Sequence, residues 1–194
     1  MKRRLAFLLA ALAQLAFLGW LVADQERLRA TGRAIVLSIE PVDPVDPLSG
    51  RYLAIRVKAA RIDVAKLLPE LAADAQSRTA ASLAGEEVAV VMREKDGRWE
   101  PESIESARYG DPGASAVWLR GRVRTVSETV VDVDFGLDRY FIPAHAADPS
   151  PLLWRRADHE LAIVARVSVE GRATIADLLV DGQPFAEWNA AQPK

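Results

Sequence analysis

Residues Leu5–Ala23 read LAFLLAALAQLAFLGWLVA, a run without one charged side chain and with Gln14 as its only strongly polar member. As a helix rising 1.5 Å per residue the run reaches ~28 Å, the thickness of a bilayer's hydrocarbon layer. A helix buried in a soluble core would normally keep a polar stripe, and this one has none. Lys2, Arg3 and Arg4 precede it, whereas Asp24, Glu26, Arg27 and Arg29 follow with mixed sign. The positive-inside bias therefore keeps the N-terminus in the cytoplasm and sends the remainder out, with Trp20 near the outer headgroups. A cleaved signal peptide is the competing reading. Its apolar segment is shorter and ends in a small-x-small site, but the triplet here is Leu21-Val22-Ala23. The expectation is a basic tip at 1–4, an uncleaved single-pass anchor at 5–23 and a polar helical extension at 24–32 that Gly32 terminates.

Beyond the anchor the chain holds 22 basic and 27 acidic side chains. Such a mildly acidic surface is a poor match for nucleic acid, which requires a concentrated basic face. Cysteine is absent, so disulfides, thiolate metal sites and a thiol nucleophile are excluded.

From Arg33 the dominant period is two. Ile35, Leu37 and Ile39 share one face, as do Leu53, Ile55, Val57 and Ala59. Further strand-like runs fall at 87–93, 115–126, 130–135, 159–169 and 173–180. Asp96-Gly97 and Glu170-Gly171 separate such runs and read as tight hairpin turns, the first of type I′. One segment breaks the pattern: 63–84 is rich in Ala and Leu, with Pro69 inside it. It reads as short helical structure with Asp63 as a cap. The fold class is mainly β, an antiparallel sandwich or partly open barrel with a short helical insertion. The domain occupies 33–184, and the tail at 185–194 is expected to be loosely held.

One register can be argued further. Trp118, Arg120, Arg122 and Arg124 share a strand face, and Asp132 and Asp134 share a face of the next strand. A three-residue loop at 127–129 sets Arg124 opposite Asp132, Arg122 opposite Asp134 and Val123 opposite Val133; a two-residue loop would mismatch the faces. The same pairing would neutralise the arginines, which otherwise resemble a nucleic-acid platform.

The stretch Val42-Asp43-Pro44-Val45-Asp46-Pro47-Leu48-Ser49-Gly50-Arg51-Tyr52-Leu53-Ala54-Ile55-Arg56-Val57 resembles the signature of the GDYXXLXY family. Gly50 and Tyr52 match, Ile55 stands for the motif leucine, Val57 for the last tyrosine, and Arg51 reverses the charge of the motif aspartate. A second stretch, Phe135-Gly136-Leu137-Asp138-Arg139-Tyr140-Phe141-Ile142-Pro143, is similar to a later family segment, and Val167–Gly182 to its closing strands around an Asp-Gly turn. The resemblance implies a bacterial protein anchored in the inner membrane by one span, with a periplasmic domain. It also implies genes for a multi-spanning membrane protein close by, and no assigned activity or cofactor. Physically, the two Asp-Pro pairs and Gly50 read as a turn that delivers the chain to the strand at Tyr52.

Catalytic signatures are scarce. The two histidines, His145 and His159, stand apart, and no G-x-S-x-G, P-loop or dinucleotide fingerprint occurs. Asp132, Asp134 and Asp138 hint at a calcium loop, but its closing glutamate would fall on Pro143. A looser cation site on those aspartates, or one joining Asp138 with His145 and His159, is the residual metal reading. The leading expectation is a membrane-tethered interaction module without cofactor. Its surface combines Asp43, Asp46, Pro47, Gly50 and Tyr52 with Gly136, Arg139, Tyr140 and Phe141, provided the two motifs meet. Charge would bring Arg139 near Asp43 or Asp46. The alternatives are an envelope hydrolase or lyase using Asp138 or Asp46, and a small-molecule carrier with an apolar cavity.

Overall fold

The computed structural model describes residues 2–42, 52–64, 84–106, 112–113, 115–127, 129–142 and 159–191. Helix α1 runs unbroken over Lys2–Thr31. Its Leu, Phe, Val and Trp side chains between residues 5 and 22 are exposed, and none of this stretch is buried among the described residues; it is long and apolar enough to cross a membrane. The helix stops where expected. The Gly32 N–H donates to the Leu28 carbonyl at 2.9 Å, and a Cβ at Gly32 would meet that carbonyl at 2.6 Å and the Val167 nitrogen at 3.0 Å. Only glycine fits so tight a junction. One residue therefore separates α1 from the first strand, and the helix end is docked rather than dangling. Leu28 is buried, Arg172 donates to both carboxylate oxygens of Asp24 at 2.6 and 3.1 Å, and Arg166 donates to the Gly32 carbonyl at 3.2 Å.

The strands are β1 (Arg33–Pro41), β2 (Tyr52–Val57), β3 (Arg61–Asp63), β4 (Glu87–Lys95), β5 (Arg98–Ser106), β6 (Ala116–Val126), β7 (Val130–Asp134), β8 (Arg139–Phe141), β9 (Leu161–Val167), β10 (Ala173–Val180) and β11 (Gln183–Pro184). They build two antiparallel sheets ordered β11-β10-β9-β1-β2-β8 and β3-β7-β6-β4-β5, one a half-barrel and the other nearly closed. Alternation along β1 and β2 sends Ile35, Leu37, Ile39, Leu53, Ile55 and Val57 inward, where they join Ile62, Val90, Met92, Ile104, Leu119, Val133, Ile163 and Leu178 in one core. Each such side chain contributes about 1.5–3 kcal/mol relative to exposure. The sheets are also tied at their rims: Arg33 donates to the Ala116 carbonyl at 3.0 Å and lies 4.9 Å over the Trp99 ring. In addition, the Arg120 N–H donates to the Gly171 carbonyl at 2.8 Å.

The turns follow their chemistry. Asp96 and Gly97 have φ of 51° and 75° between the paired residues Lys95 and Arg98, the type I′ geometry that Asp-Gly favours. At Glu170-Gly171 the loop is one residue longer. Ser168 N–H donates to the Arg172 carbonyl at 2.8 Å, Gly171 N–H donates to the Ser168 carbonyl at 3.0 Å, and Gly171 takes φ of 77°, a turn closed by a glycine bulge.

Three expectations need amending. Between β6 and β7, Arg122 faces Asp134 and Val123 faces Val133 as argued, but Thr125, not Arg124, faces Asp132, and Val126 faces Val131. Ser127 N–H donates to the Val130 carbonyl at 2.8 Å, which leaves a two-residue connection instead of three. The mismatch such a loop creates is absorbed by a bulge at Arg124, one extra residue that restores the faces on its far side. Second, β5 was not foreseen. Its Pro101 is tolerated because β5 is an edge strand with its own bulge. Asp63 ends β3, the position from which it would cap a following helix, and residues 65–83 of the proposed helical segment lie outside those described. Third, the tail is partly ordered: Phe185–Ala190 form helix α2, with Phe185 and Trp188 buried. Gly121 of β6 marks another close approach, since a Cβ there would lie 2.4 Å from Val133 Cγ1, 2.8 Å from Phe135 Cδ1 and 3.0 Å from the Asp134 carbonyl.

Candidate functional site

The two motif segments meet. Strand β8 pairs with β2, setting Tyr52 opposite Phe141, Leu53 opposite Tyr140 and Ala54 opposite Arg139. Leu53 is buried and Tyr140 half-buried, so the other face presents Tyr52, Arg139 and Phe141 together. The Tyr52 and Phe141 rings lie 6.4 Å apart, and the Arg139 guanidinium sits 5.5 Å over the Tyr52 ring, a diagonal contact that long side chains on adjacent strands can make. Phe141 is 66% exposed. Residues Asp43, Asp46, Pro47 and Gly50 lie outside the described residues, and with them the expected approach of Arg139 to Asp43 or Asp46.

The loop from β7 into β8 completes the surroundings. Gly136 takes φ of 69° and its N–H donates to Asp134 Oδ1 at 2.8 Å. The Asp138 carbonyl then accepts from the Ile55 N–H at 2.9 Å, which fastens this loop against β2. The result is an open cleft of about 330 Å³. Its rim carries Tyr52, Arg56, Arg124, Asp132, Asp138 and Arg139, and its floor is apolar, with Val57, Phe135 and Leu137.

The charges in the cleft are partly committed. Arg124, aimed by its bulge, donates to Asp134 Oδ2 at 2.9 Å, and Arg139 lies 3.7 Å from Asp138. Burial alone would raise the Asp134 carboxyl, but the Gly136 N–H and Arg124 outweigh it and hold the group below its ordinary range. The Asp134 hydrogen bond holds Arg124 above its ordinary range. A carboxyl pushed down is a poor proton donor at neutral pH. Among the described residues, no three of the His, Asp and Glu side chains converge as a metal ion would require; Asp134, with both oxygens bonded, is unsuited to the loose cation site. Arg56 makes neither hydrogen bond nor ion pair among the described residues, which leaves it a cation available to an incoming group.

The basic stripe proves no platform. Trp118 is buried. Glu87 of β4 takes Arg120 at 2.5 Å and approaches Arg122 at 3.6 Å, while Asp134 takes Arg124. The neutralising carboxylates are therefore Glu87 and Asp134 in place of Asp132 and Asp134.

Sequence reading missed a second cluster. His159 Nδ1 lies 2.7 Å from Asp181 Oδ2 and its ring meets the Trp188 ring edge-on at 5.9 Å. Phe185 stacks on Trp188 at 6.1 Å, and Tyr140 meets Phe185 edge-on at 6.0 Å. The Asp181 carboxyl is held down by His159 and by the Glu160 N–H. His159 thus pairs with a turn aspartate; His145 lies outside the described residues. The Asp-Gly step at Asp181-Gly182, both with positive φ, was the available signal that this aspartate ends a hairpin beside α2.

A family model described as GDYXXLXY protein matches residues 14–178, most of the chain. The chain belongs to the GDYXXLXY family. No curated protein and no solved structure matches it. Mapped on the fold, the GDYXXLXY signature divides into two functions. Ile55 and Val57, at its leucine and second tyrosine positions, are each 4% exposed and belong to the core, so their chemistry is packing. Tyr52 points the other way, onto the cleft. Of the described signature residues it is the one whose side chain the core does not explain.

Proposed function

We propose that this protein is a single-pass, membrane-anchored interaction module. Its domain stands on the periplasmic side of the inner membrane and engages a multi-spanning membrane protein through the paired strands β2 and β8 and the cleft beside them. The observation that carries the reading is the group of half-buried Tyr52 with exposed Arg139 and Phe141, assembled from two motif segments far apart in sequence. Tyrosine and arginine dominate the energetics of protein interfaces, and an exposed phenylalanine beside them adds apolar area that water does not favour. The apolar, exposed stretch of α1 supports the anchor, and Lys2, Arg3 and Arg4 ahead of it support its orientation. Tethering both partners in one membrane raises the effective concentration to the ~mM range, so weak contacts suffice. The side chains filling the space between the sheets favour this reading over an apolar carrier.

The test is site-specific photocrosslinking in native membranes. A crosslinker at Phe141 is expected to capture a multi-spanning membrane protein, and Tyr52→Ala or Arg139→Ala to abolish the adduct. A crosslinker at Asp96 should capture nothing. Absence of an adduct at 141, or the same adduct from both positions, overturns the proposal. Orientation is read separately: the chain has no cysteine, so a single Glu100→Cys substitution should react with an impermeant maleimide from the periplasm.

A further inference from the structure

We infer that the hairpin between β9 and β10 is a second membrane contact, with Val169 resting in the headgroup layer beside α1. The inference rests on the anchor reading above. Strand β9 runs back towards the helix, since Val167 pairs with Arg33 at the start of β1. The Ser168–Arg172 turn therefore projects past the beginning of β1 and alongside the last turns of α1. Its position there is fixed by the double hydrogen bond from Arg172 to Asp24, and Asp24 is the first residue after the apolar run ends at Ala23. The turn is thus level with the boundary between span and stalk.

What the turn presents at that level is apolar. Outside α1, Val169 and Phe141 are the large hydrophobic residues left exposed among those described, and Val169 at 88% is the more exposed. Phe141 lies beside Tyr52 at the opposite end of the first sheet, because Tyr52, its partner, lies beyond the Pro41–Ile55 pair that ends β1. Beside Val169, Arg27 lines the same groove, about one helical turn past Ala23 at ~6 Å. The Arg27 guanidinium makes neither hydrogen bond nor ion pair among the described residues. A cation and an apolar tip at the depth of the lipid phosphates suit a phospholipid headgroup layer. The tip can hold that position because its backbone is pinned: the Gly171 carbonyl accepts from the Arg120 N–H on the second sheet. The domain is thereby mounted on the bilayer at two points, the helix and the hairpin.

The experiment uses the full chain in vesicles of phosphatidylethanolamine and phosphatidylglycerol. Val169→Cys, Leu12→Cys and Phe141→Cys each carry an environment-sensitive fluorophore, and nitroxide-bearing lipids quench at headgroup or mid-chain depth. The expected result is loss of most 169 emission to the headgroup nitroxide, loss at 12 to the mid-chain nitroxide, and none at 141. Arg172→Ala should lessen quenching at 169 and leave 12 unchanged. Quenching at 12 without quenching at 169 overturns the hairpin contact and leaves the anchor standing. No quenching at 12 overturns the anchor reading itself. Equal quenching at 169 and 141 means that the domain lies flat, which overturns the two-point mount.

Discussion

Gly121→Ala tests how closely β6 and the end of β7 are packed behind the cleft. The added Cβ would stand 2.4 Å from Val133 Cγ1 and 2.8 Å from Phe135 Cδ1, both side-chain atoms that can rotate, but also 3.0 Å from the Asp134 carbonyl, which cannot move without shifting the ladder. Overpacking of this kind costs about 1–3 kcal/mol, and the backbone contact places the substitution at the upper end. For a domain of this size each kcal/mol lowers the melting temperature by about 2–4 °C, so a fall of roughly 6–12 °C is expected. Thermal unfolding of the detergent-solubilised chain, followed by near-ultraviolet circular dichroism, measures it. Pairing the change with Val133→Ala removes the nearest clash, so the double variant should be more stable than the sum of the singles by about 1 kcal/mol. A melting temperature within ~1 °C of the parent, or strict additivity in the double variant, would refute the close approach.

Further expectations concern charge, turns and docking. Asp134, whose ordinary value is 3.8, is held below it in the fold. Its contribution is therefore complete above about pH 4 and is lost as pH falls through the lower folded value. Asp134→Asn should flatten that acid limb when melting temperature is plotted against pH. Gly97→Ala, at φ of 75°, should cost about 1–2 kcal/mol in a denaturant titration, whereas Gly19→Ala, with nothing within 4 Å, should leave the unfolding of the domain unchanged. Leu28→Ala removes the buried side chain beneath the helix end. A local loss of roughly 2–5 kcal/mol should appear as faster amide exchange at Gly32 and in the β9–β10 turn.

The features that declared themselves in the sequence are those governed by local rules. Nineteen uncharged residues leave few alternatives to a lipid-sized helix, alternation assigns Ile35, Leu37 and Ile39 to the core, and Asp96-Gly97 requires the positive φ that a type I′ turn provides. Strand β5 escaped because Arg98–Ser106 carries Pro101 and several charges, a composition tolerated only at a sheet edge, and edges are a property of topology. The bulge at Arg124 escaped for a related reason. A three-residue loop and a two-residue loop with one extra residue satisfy the same facial pattern, and only the hydrogen bonds of the turn separate them. Helix α2 is too short for periodicity to reveal, with Phe185 and Trp188 as its only buried contacts. For the cleft, the meeting of Tyr52 with Arg139 could be guessed from two motif segments. The presence of Arg124 and Asp132 on its rim depends on how the second sheet folds over the first, which no local pattern encodes.

Because Gly32 is the whole of the connection between α1 and β1, the molecule has no swivel. A flexible tether would let the domain sample any azimuth above its attachment point; here a rotation of the helix about its own axis turns Tyr52 and Arg139 through the same angle. The cleft consequently behaves like the far end of a crank whose shaft is the first thirty residues, and a protein that grips the shaft also sets the direction in which the cleft faces.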